Sequence, residues 1–251
     1  MGERRDQAPP IKKAIKLPLG QVDPALVGVG LDKVAELLAG LGSASGPARE
    51  VGRWQDEVIE REVEQGSSVL DLGCNDGELL DRLMKKKNVS RAQGVELDPD
   101  AVQRCVGRGV PVIQANLDDG LRGFCDLCFD YVILEETLQT LRRPVEVLAE
   151  MLRVGRHGIV SFPNFAYWRV RLELALRGRM PVTEWLPYSW YDTPNIHLFT
   201  IQDFVEWARH AGVSVVKAYG LADGAVRELE QYDNLYAEEA LMVLEKMQVK
   251  E

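Results

Sequence analysis

The residues with the clearest chemical potential lie in a glycine-rich turn that follows an apolar segment. From Asp71 to Gly77 the chain reads Asp-Leu-Gly-Cys-Asn-Asp-Gly. Glycine lets the backbone adopt positive φ angles and approach a bound molecule closely, so such a turn is suited to holding a ligand. The dinucleotide fingerprint G-x-G-x-x-G is excluded, because its second and third glycines, counted from Gly73, would fall at Asn75 and Glu78.

A carboxylate about 20 residues further along supplies a second candidate contact. Glu96 follows Gly94 and Val95 at the end of a second apolar run. In that position its oxygens are placed to accept hydrogen bonds from two ribose hydroxyls. The alternative is a structural role, as a helix N-cap or a surface acid beside Pro99, and this alternative fits Asp98 better than Glu96.

A third group of candidates lies in the aromatic segment, residues 178–200, which is long for a connection without regular structure. Its aromatic side chains and histidine are Trp185, Tyr188, Trp190, Tyr191, His197 and Phe199. They fit three roles: lining a substrate pocket, anchoring a partner protein, or packing the segment onto the core. His197 and Asp192 are the only nearby side chains with obvious acid-base capacity, although a lone histidine is more often structural.

Strands and helices alternate through the part of the chain that carries these residues. Apolar runs predict strands at 68–72, 92–96, 111–114, 129–134, 157–162, 213–219 and 238–246. Helical spacing predicts helices at 54–63, 77–86, 99–107, 137–140, 144–152, 165–177 and 201–211. The order predicts an α/β fold with a doubly wound, mostly parallel seven-stranded sheet, whose last two strands form an antiparallel edge hairpin. Ligands of such sheets bind at the carboxyl ends of the strands, where the glycine turn and Glu96 fall.

The composition excludes several classes of protein. With 251 residues, 46% of them hydrophobic, the chain can bury a sizeable core. Its net charge of −9, from 30 basic and 39 acidic residues, disfavours nucleic acid or an anionic membrane as the main partner, since either needs a concentrated basic face. No apolar run approaches the roughly 18 residues of a membrane span, and no signal-peptide pattern is present, so we predict a cytoplasmic protein.

The four cysteines predict reduced thiols rather than a disulfide framework. Cys125 and Cys128 form one Cys-x-x-Cys pair. A structural zinc site usually needs a second pair of cysteine or histidine ligands, and the three histidines are scattered along the chain. We therefore expect no metal site.

Residues 1–50 differ in kind from the remainder. They hold 7 basic and 6 acidic residues, whereas 51–251 hold 23 basic and 33 acidic residues. Residues 1–24 contain four prolines and no apolar period, which predicts a flexible arm, and apolar residues between Leu31 and Leu41 predict a short helix. The sequence is accordingly divided into an N-terminal extension and a main domain.

The glycine turn resembles that of class I S-adenosylmethionine-dependent methyltransferases, commonly D/E-x-G-x-G-x-G. Asn75 stands where the middle glycine is usual; asparagine tolerates left-handed geometry but projects a side chain into the space. The resemblance implies S-adenosylmethionine as cofactor, with Asp71, Gly73, Asn75 and Gly77 around it and Glu96 on its ribose.

Other segments narrow the resemblance to the methionine biosynthesis protein MetW family. They are Arg-Gly-Val-Pro-Val-Ile-Gln at 108–114, Thr-Leu-Gln-Thr-Leu-Arg-Arg-Pro at 137–144, Glu-Met-Leu-Arg-Val-Gly-Arg at 150–156, Ser-Phe-Pro-Asn-Phe at 161–165, Gly-Arg-Met-Pro-Val-Thr at 178–183 and Leu-Pro-Tyr-Ser-Trp-Tyr-Asp-Thr-Pro-Asn-Ile-His-Leu at 186–198. The last is the most specific. The resemblance covers residues 53–246 and leaves the extension 1–50 without an implied role.

This family resemblance implies a methyltransferase-like domain, residues 51–251, that works in bacterial methionine synthesis and supports a homoserine O-acyltransferase of acetyl or succinyl type. It places Asn116 against the adenine and Glu135 or Gln139 at the methionine pocket, although Glu135 and Gln139 could equally be solvated helix residues. Two functions fit: a subunit that activates the acyltransferase, which we favour, or, as the alternative, an active methyltransferase on an unidentified small molecule or protein. Asp71, Gly73, Gly77 and Glu96 support the alternative, and Asn75 disfavours it.

Overall fold

The computed structural model describes residues 53–183, 185–222, 224–230 and 233–247. The predicted flexible arm and the helix at 31–41 lie outside these residues. None of the described helices is long and apolar enough to cross a membrane.

The described chain forms one mixed sheet, which confirms the predicted α/β class. Its strands are β1 Ser68–Leu72, β2 Arg91–Glu96, β3 Val112–Gln114, β4 Phe129–Leu134, β5 Gly155–Pro163, β6 Val213–Ala222, β7 Ala225–Glu228 and β8 Ala237–Lys246. They lie in the order β3-β2-β1-β4-β5-β8-β6-β7, with parallel pairing from β3 through β5. The strand order reverses between β1 and β4, so a ligand crevice is expected at their carboxyl ends.

The helices are short and lie between the strands. They are α1 Trp54–Glu62, α2 Glu78–Lys87, α3 Pro99–Arg108, α4 Pro144–Val154, α5 Trp168–Leu172, α6 Ile201–His210 and α7 Asp233–Tyr236. Single 3-10 turns form at Leu117–Asp119 and Leu138–Thr140, and a π-helical turn at Glu173–Arg177 follows α5. The predicted helix at 137–140 is therefore one 3-10 turn.

The sheet is buried on both faces, which explains its apolar strands. Leu70 and Val132 pack in one core cluster, whereas their strand neighbours Val69 and Ile133 pack in a second cluster on the opposite face. Adjacent residues of a strand point to opposite faces, so continuous apolar runs are what such a sheet requires.

The C-terminal strands pair antiparallel, as predicted, and their arrangement positions one residue of the candidate site. Strand β8 lies between β5 and β6 and is antiparallel to both. Its segment from Ala240 to Leu244 is buried, as expected for a strand covered on both faces. The sheet has one strand more than the seven predicted: the four residues of β7, mostly exposed, extend the edge by pairing with β6.

Candidate functional site

The glycine turn connects β1 to α2 and has three residues with positive φ. The angles are 78° at Gly73, 47° at Asn75 and 76° at Gly77. Asparagine is among the few residues that adopt this conformation readily, so Asn75 keeps the turn geometry that glycine would allow. The Gly73 N–H donates to the carbonyl oxygen of Val95 at 2.8 Å, which ties the turn to the end of β2.

Glu96 lies at the carboxyl end of β2, directly beside this turn. Its carboxylate accepts hydrogen bonds from the backbone N–H groups of Asn75 at 2.9 Å, Leu97 at 2.7 Å and Asp98 at 2.9 Å. A carboxylate offers about four acceptor positions, so about one remains for a ligand hydroxyl. The structure thus brings Glu96 and the glycine turn together, and it fixes the orientation of the carboxylate before any ligand arrives.

Asp98 is a helix N-cap, which was the alternative interpretation of this residue. Its side chain accepts a hydrogen bond from the Asp100 N–H at 3.1 Å and caps α3, with Pro99 at the first helical position. This is the usual chemistry of a helix N-terminus.

Asp71 lies at the end of β1 and is buried beneath the site. Burial, together with the nearby negative charge of Asp56, raises the pKa of Asp71 to about 7. A carboxyl group with this pKa exchanges its proton near neutral pH, and it prefers a neutral form or a cationic neighbour.

The loop after β4 brings Glu135, Glu136 and Gln139 to the same edge of the sheet. Burial raises the pKa of Glu135 to about 8, and the Asp56 charge adds to this effect. Glu136 adopts a φ of 50°, uncommon for a residue other than glycine, and its N–H donates to Ser161 Oγ at 3.1 Å. Gln139 is buried, and its Nε2 donates to the Glu136 carbonyl at 2.8 Å. Neither Glu135 nor Gln139 is a solvated helix residue.

Asn116 follows β3, as predicted, and part of its side chain is already used. Its Oδ1 accepts a hydrogen bond from the Asp118 N–H at 3.0 Å and so caps the 3-10 turn that begins at Leu117. A contact of its amide nitrogen with an adenine ring stays a prediction.

The sequence analysis did not identify the residues that α1 and β8 contribute to the site, which are Trp54, Gln55, Asp56 and Glu239. Trp54 Nε1 donates to Glu239 Oε2 at 2.6 Å, and Gln55 Nε2 lies 3.2 Å from the same oxygen and 3.4 Å from Glu136 Oε1. Asp56 completes this polar face of α1 and forms an ion pair with Arg82 at 2.8 Å. Helical periodicity identifies α1, but it gives no sign that Gln55 and Asp56 are buried.

The aromatic segment contacts this edge of the sheet through its C-terminal half. The N–H groups of Ile196 and His197 both donate to the Gln139 carbonyl, at 2.9 Å and 3.0 Å. The backbone of His197 therefore lies beside the loop after β4, and its Nε2 is buried without a hydrogen-bond partner among the described residues. An acid-base role for His197 remains a prediction.

The aromatic side chains of this segment divide into two groups. Trp185 donates a hydrogen bond to Glu238 at 2.5 Å, and the ring of Phe199 lies 4.7 Å from that of Phe162, so these rings pack the segment onto the domain. In contrast, 76% of Trp190 and 73% of Tyr191 are exposed. Packing therefore explains the first group, whereas the rings of the second group contact each other edge to face, with centroids 5.6 Å apart, and remain largely exposed.

The acceptor chemistry of the site fits a ligand that donates hydrogen bonds. Buried acceptor oxygens without a partner in the described ranges occur at Asp56 Oδ1 and Gln139 Oε1, and a ligand with N–H or O–H groups would satisfy them. The glycine turn lies between Glu96 on one side and Glu135 on the other, along the ends of β2, β1 and β4. In the described residues no cluster of three or more metal-ligating side chains occurs, and Cys128 Sγ donates to the Cys125 carbonyl.

Solved structures with this fold include methyltransferases and an enzyme of another kind. A SAM-dependent methyltransferase from Thermotoga maritima aligns with a TM-score of 0.57 at 16% identity, covering 76% of this chain and 87% of the other. A SAM-dependent methyltransferase from Archaeoglobus fulgidus aligns with a TM-score of 0.55 at 14% identity, covering 84% and 99%. The [4+2]-cyclase SpnF aligns with a TM-score of 0.57 at 17% identity, covering 89% and 96%. The fold is therefore that of the class I methyltransferases, but it does not by itself establish methyl transfer.

Comparison with sequence relatives identifies the family as well as the fold. The bifunctional methionine biosynthesis protein MetXA/MetW of Rhodopirellula baltica is 42% identical over 156 residues, which are 59% of this chain and 25% of that protein. The ribosomal protein L11 methyltransferase of Burkholderia mallei is 32% identical over 123 residues, or 47% of this chain and 38% of that enzyme. The chain thus spans well under half the length of either relative. The family model of the methionine biosynthesis protein MetW matches residues 53–244, and the chain belongs to the MetW family.

Proposed function

We propose that this protein binds S-adenosylmethionine and supports a homoserine O-acyltransferase by associating with it. The observation that carries the proposal is the relative from Rhodopirellula baltica, whose name joins MetXA and MetW in one bifunctional protein. Because the two activities share one polypeptide in that protein, we expect a separate MetW chain to bind the homoserine O-acyltransferase as a partner. The cytoplasm, where methionine biosynthesis takes place, is the proposed location.

The cofactor part of the proposal assigns a role to each side of the site. Glu96 accepts a hydrogen bond from the ribose through its free acceptor position, and Asn116 faces the adenine. Asp71, Glu135 and Gln139 surround the amino-acid end, and the turn from Gly73 to Gly77 passes beneath the sugar. When bound, S-adenosylmethionine supplies a methyl group on a positively charged sulfur. The buried carboxyl groups described above support a site for the positively charged amino group at the amino-acid end.

We expect Glu96→Ala to weaken S-adenosylmethionine binding by about 1.5–3 kcal/mol, because hydrogen bonds to charged groups contribute about that much. Calorimetric titration of the purified protein measures the change. Asp100→Ala is the matched control, since Asp100 is an exposed acid in the first turn of α3. Equal affinities for the parent and Glu96→Ala would place the ribose elsewhere.

A second candidate function is methyl transfer to an unidentified acceptor. It is favoured by the hydrogen bond between the glycine turn and Glu96 and by the methyltransferase fold. Transfer from a sulfonium needs mainly the alignment of nucleophile and methyl group, so it does not require a strong catalytic base. Incubation with radiolabelled S-adenosylmethionine and cell extract, with and without the acyltransferase, distinguishes the two functions. A labelled product favours the enzyme, and a stable complex without one favours the supporting subunit.

The exposed rings of Trp190 and Tyr191 are the proposed anchor for the acyltransferase. We expect Trp190→Ala to weaken the complex by about 2 kcal/mol or more, as removal of a ring at an interface commonly does. Pull-down of the acyltransferase measures this, while the melting temperature and cofactor affinity are expected to be unchanged. Val106→Ala is the control, because Val106 is an exposed apolar residue on α3.

Three other results would contradict the anchor. A retained complex with altered cofactor affinity would show that the aromatic segment lines a ligand pocket. A lowered melting temperature would show that Trp190 packs the domain. A retained complex with full affinity would move the search to the segment at 31–41.

A further inference from the structure

The aromatic segment contains an apolar groove with a volume of about 240 Å³. Five large apolar side chains that line this aromatic groove remain exposed: Met180, Tyr188, Trp190, Ile196 and Leu198. None of its described lining residues is charged. Small-molecule sites usually measure roughly 300–1,000 Å³ and carry convergent polar groups, so the groove fits a few apolar side chains better than a metabolite. Exposed apolar surface of this kind marks an interaction site.

The chain enters the described domain close to the aromatic groove. Gln55, in the first turn of α1, has its Nε2 3.4 Å from Glu136 Oε1. The Glu136 carbonyl accepts a hydrogen bond from Gln139 Nε2 at 2.8 Å, and the Gln139 carbonyl accepts one from the N–H of the groove residue Ile196 at 2.9 Å. Trp185 of the aromatic segment also packs against the core cluster that contains the apolar face of α1. The residues that precede α1 therefore join the domain within a few side-chain lengths of the groove.

The same chain carries an apolar segment shortly before this point. The apolar residues of the segment 31–41 recur at helical spacing: Leu31, Val34, Leu37, Leu38 and Leu41. A helix over 31–41 would carry them on one face and would carry Asp32 and Glu36 on the opposite face. Helices this short are marginal in water, so this one needs a surface that buries its apolar face.

The connection between the segment and the domain is long enough to reach the groove. It consists of residues 42–52, which end at Arg53, the first described residue. A chain of this length spans up to about 40 Å when extended. It includes three glycines and two serines, a composition typical of linkers. A short linker holds its two ends at an effective concentration of about millimolar, so even a weakly binding helix fills the groove.

We propose that residues 31–41 form a helix that docks in the aromatic groove of the same chain. Val34 and Leu38, one helical turn apart, insert between the exposed apolar side chains of the groove. Anchors at positions i, i+3 and i+7, here Leu31, Val34 and Leu38, are the usual pattern of a helix in a groove. The inference goes beyond the proposed function, because it assigns an occupant from within the chain. Its consequence for the acyltransferase rests on the proposed anchor: both use Trp190, so the acyltransferase has to displace the segment.

Nuclear magnetic resonance of the isotope-labelled full chain tests the docking. The five tryptophans give separate indole N–H signals, and Trp190→Phe identifies the signal of Trp190. A soluble gadolinium chelate broadens the signals of exposed groups. We expect it to broaden the Trp190 signal little in the parent and strongly in the double variant Val34→Gln with Leu38→Gln. Loss of two buried apolar side chains weakens docking by about a hundredfold or more, so the groove is then largely empty.

The double variant Asp32→Asn with Glu36→Gln is the matched control, because these residues have the same spacing on the opposite face of the proposed helix. We expect its Trp190 signal to match that of the parent. The signal of Trp54, which is buried in the core, is expected to stay unchanged in every variant and reports that the domain is folded. Protection of Trp190 is expected to be constant over about a tenfold range of protein concentration, because docking within one chain does not depend on mass action between chains.

Four results would overturn the proposal. Strong broadening of Trp190 in the parent would show that the groove is uncovered, and protection that persists in both double variants would show that something else covers it. Equal broadening in the two double variants would exclude a role of the apolar face. Protection that grows with protein concentration would assign the groove to a second copy of the chain. Since neither nucleoside nor acyltransferase is present, failure of this proposal is distinct from failure of the proposed function.

Discussion

Asp71→Asn is expected to remove a large part of the pH dependence of folding stability between about pH 5 and pH 8. The folded protein holds the Asp71 proton up to about pH 7, because burial and the Asp56 charge raise its pKa, whereas the unfolded chain releases it near the ordinary value of 3.8. Between these values the folded state binds more protons, so stability falls as pH rises. The slope is about 1.4 kcal/mol per pH unit, on the order of 3 kcal/mol over the interval.

Chemical denaturation of the parent and the variant at several pH values measures this difference. Asp130→Asn is the matched control, because hydrogen bonds from the Ser68 backbone and hydroxyl lower the pKa of Asp130. Stability from Asp130 is lost only as pH falls towards its lowered pKa, so this control is expected to keep the parental slope above about pH 5. Identical slopes for the parent and Asp71→Asn would show that Asp71 ionises normally.

Gly73→Ala is expected to destabilise the domain by about 3 kcal/mol. Its φ of 78° strains any residue with a Cβ atom, at a cost of about 1 kcal/mol. A Cβ atom would also lie 2.5 Å from Thr137 Oγ1, and threonine is stiff at χ1, so the loop after β4 would have to move. Overpacking of this kind typically adds about 1–3 kcal/mol.

Gly66→Ala separates the two contributions to that loss. Gly66 has the same φ of 78°, but no atom lies within 4 Å of its added Cβ. Denaturation of this variant is therefore expected to show only the backbone cost of about 1 kcal/mol. If the two alanine variants were equally stable, the glycine turn and the loop after β4 would not be in contact.

The fold could be predicted from the sequence because each layer leaves a distinct pattern. Strand β4, buried on both faces, appears as the continuous apolar run that ends at Leu134. Helix α3 appears through Pro99 at its start and Gly109 after its end. Strand β7 was missed because its four residues are mostly exposed, so no apolar pattern marks it.

Only part of the candidate site could be predicted from the sequence. The glycine turn and Glu96 could be found because their residue types and spacing carry the chemistry directly. Glu239 and Asp56 could not, since each is an ordinary acid in the sequence and becomes unusual only through burial against a distant carboxyl group. Sequence patterns report local structure, whereas raised pKa values arise from tertiary contacts.

The hydrogen bond between Trp54 and Glu239 joins residues 185 positions apart. Domains generally fold from the N-terminus during synthesis, but this contact cannot form until the ribosome has passed β8. Contacts of such long sequence separation slow folding, because a long loop must close before they form. The nascent chain therefore carries the glycine turn and Glu96 long before Glu239 joins the candidate site. The part of the apolar face of α1 that packs with Leu241 and Val243 stays uncovered until β8 is synthesised. Nascent chains that end before residue 237 would expose this apolar surface to chaperones. The synthesis of β8 therefore both completes the site and ends this exposure.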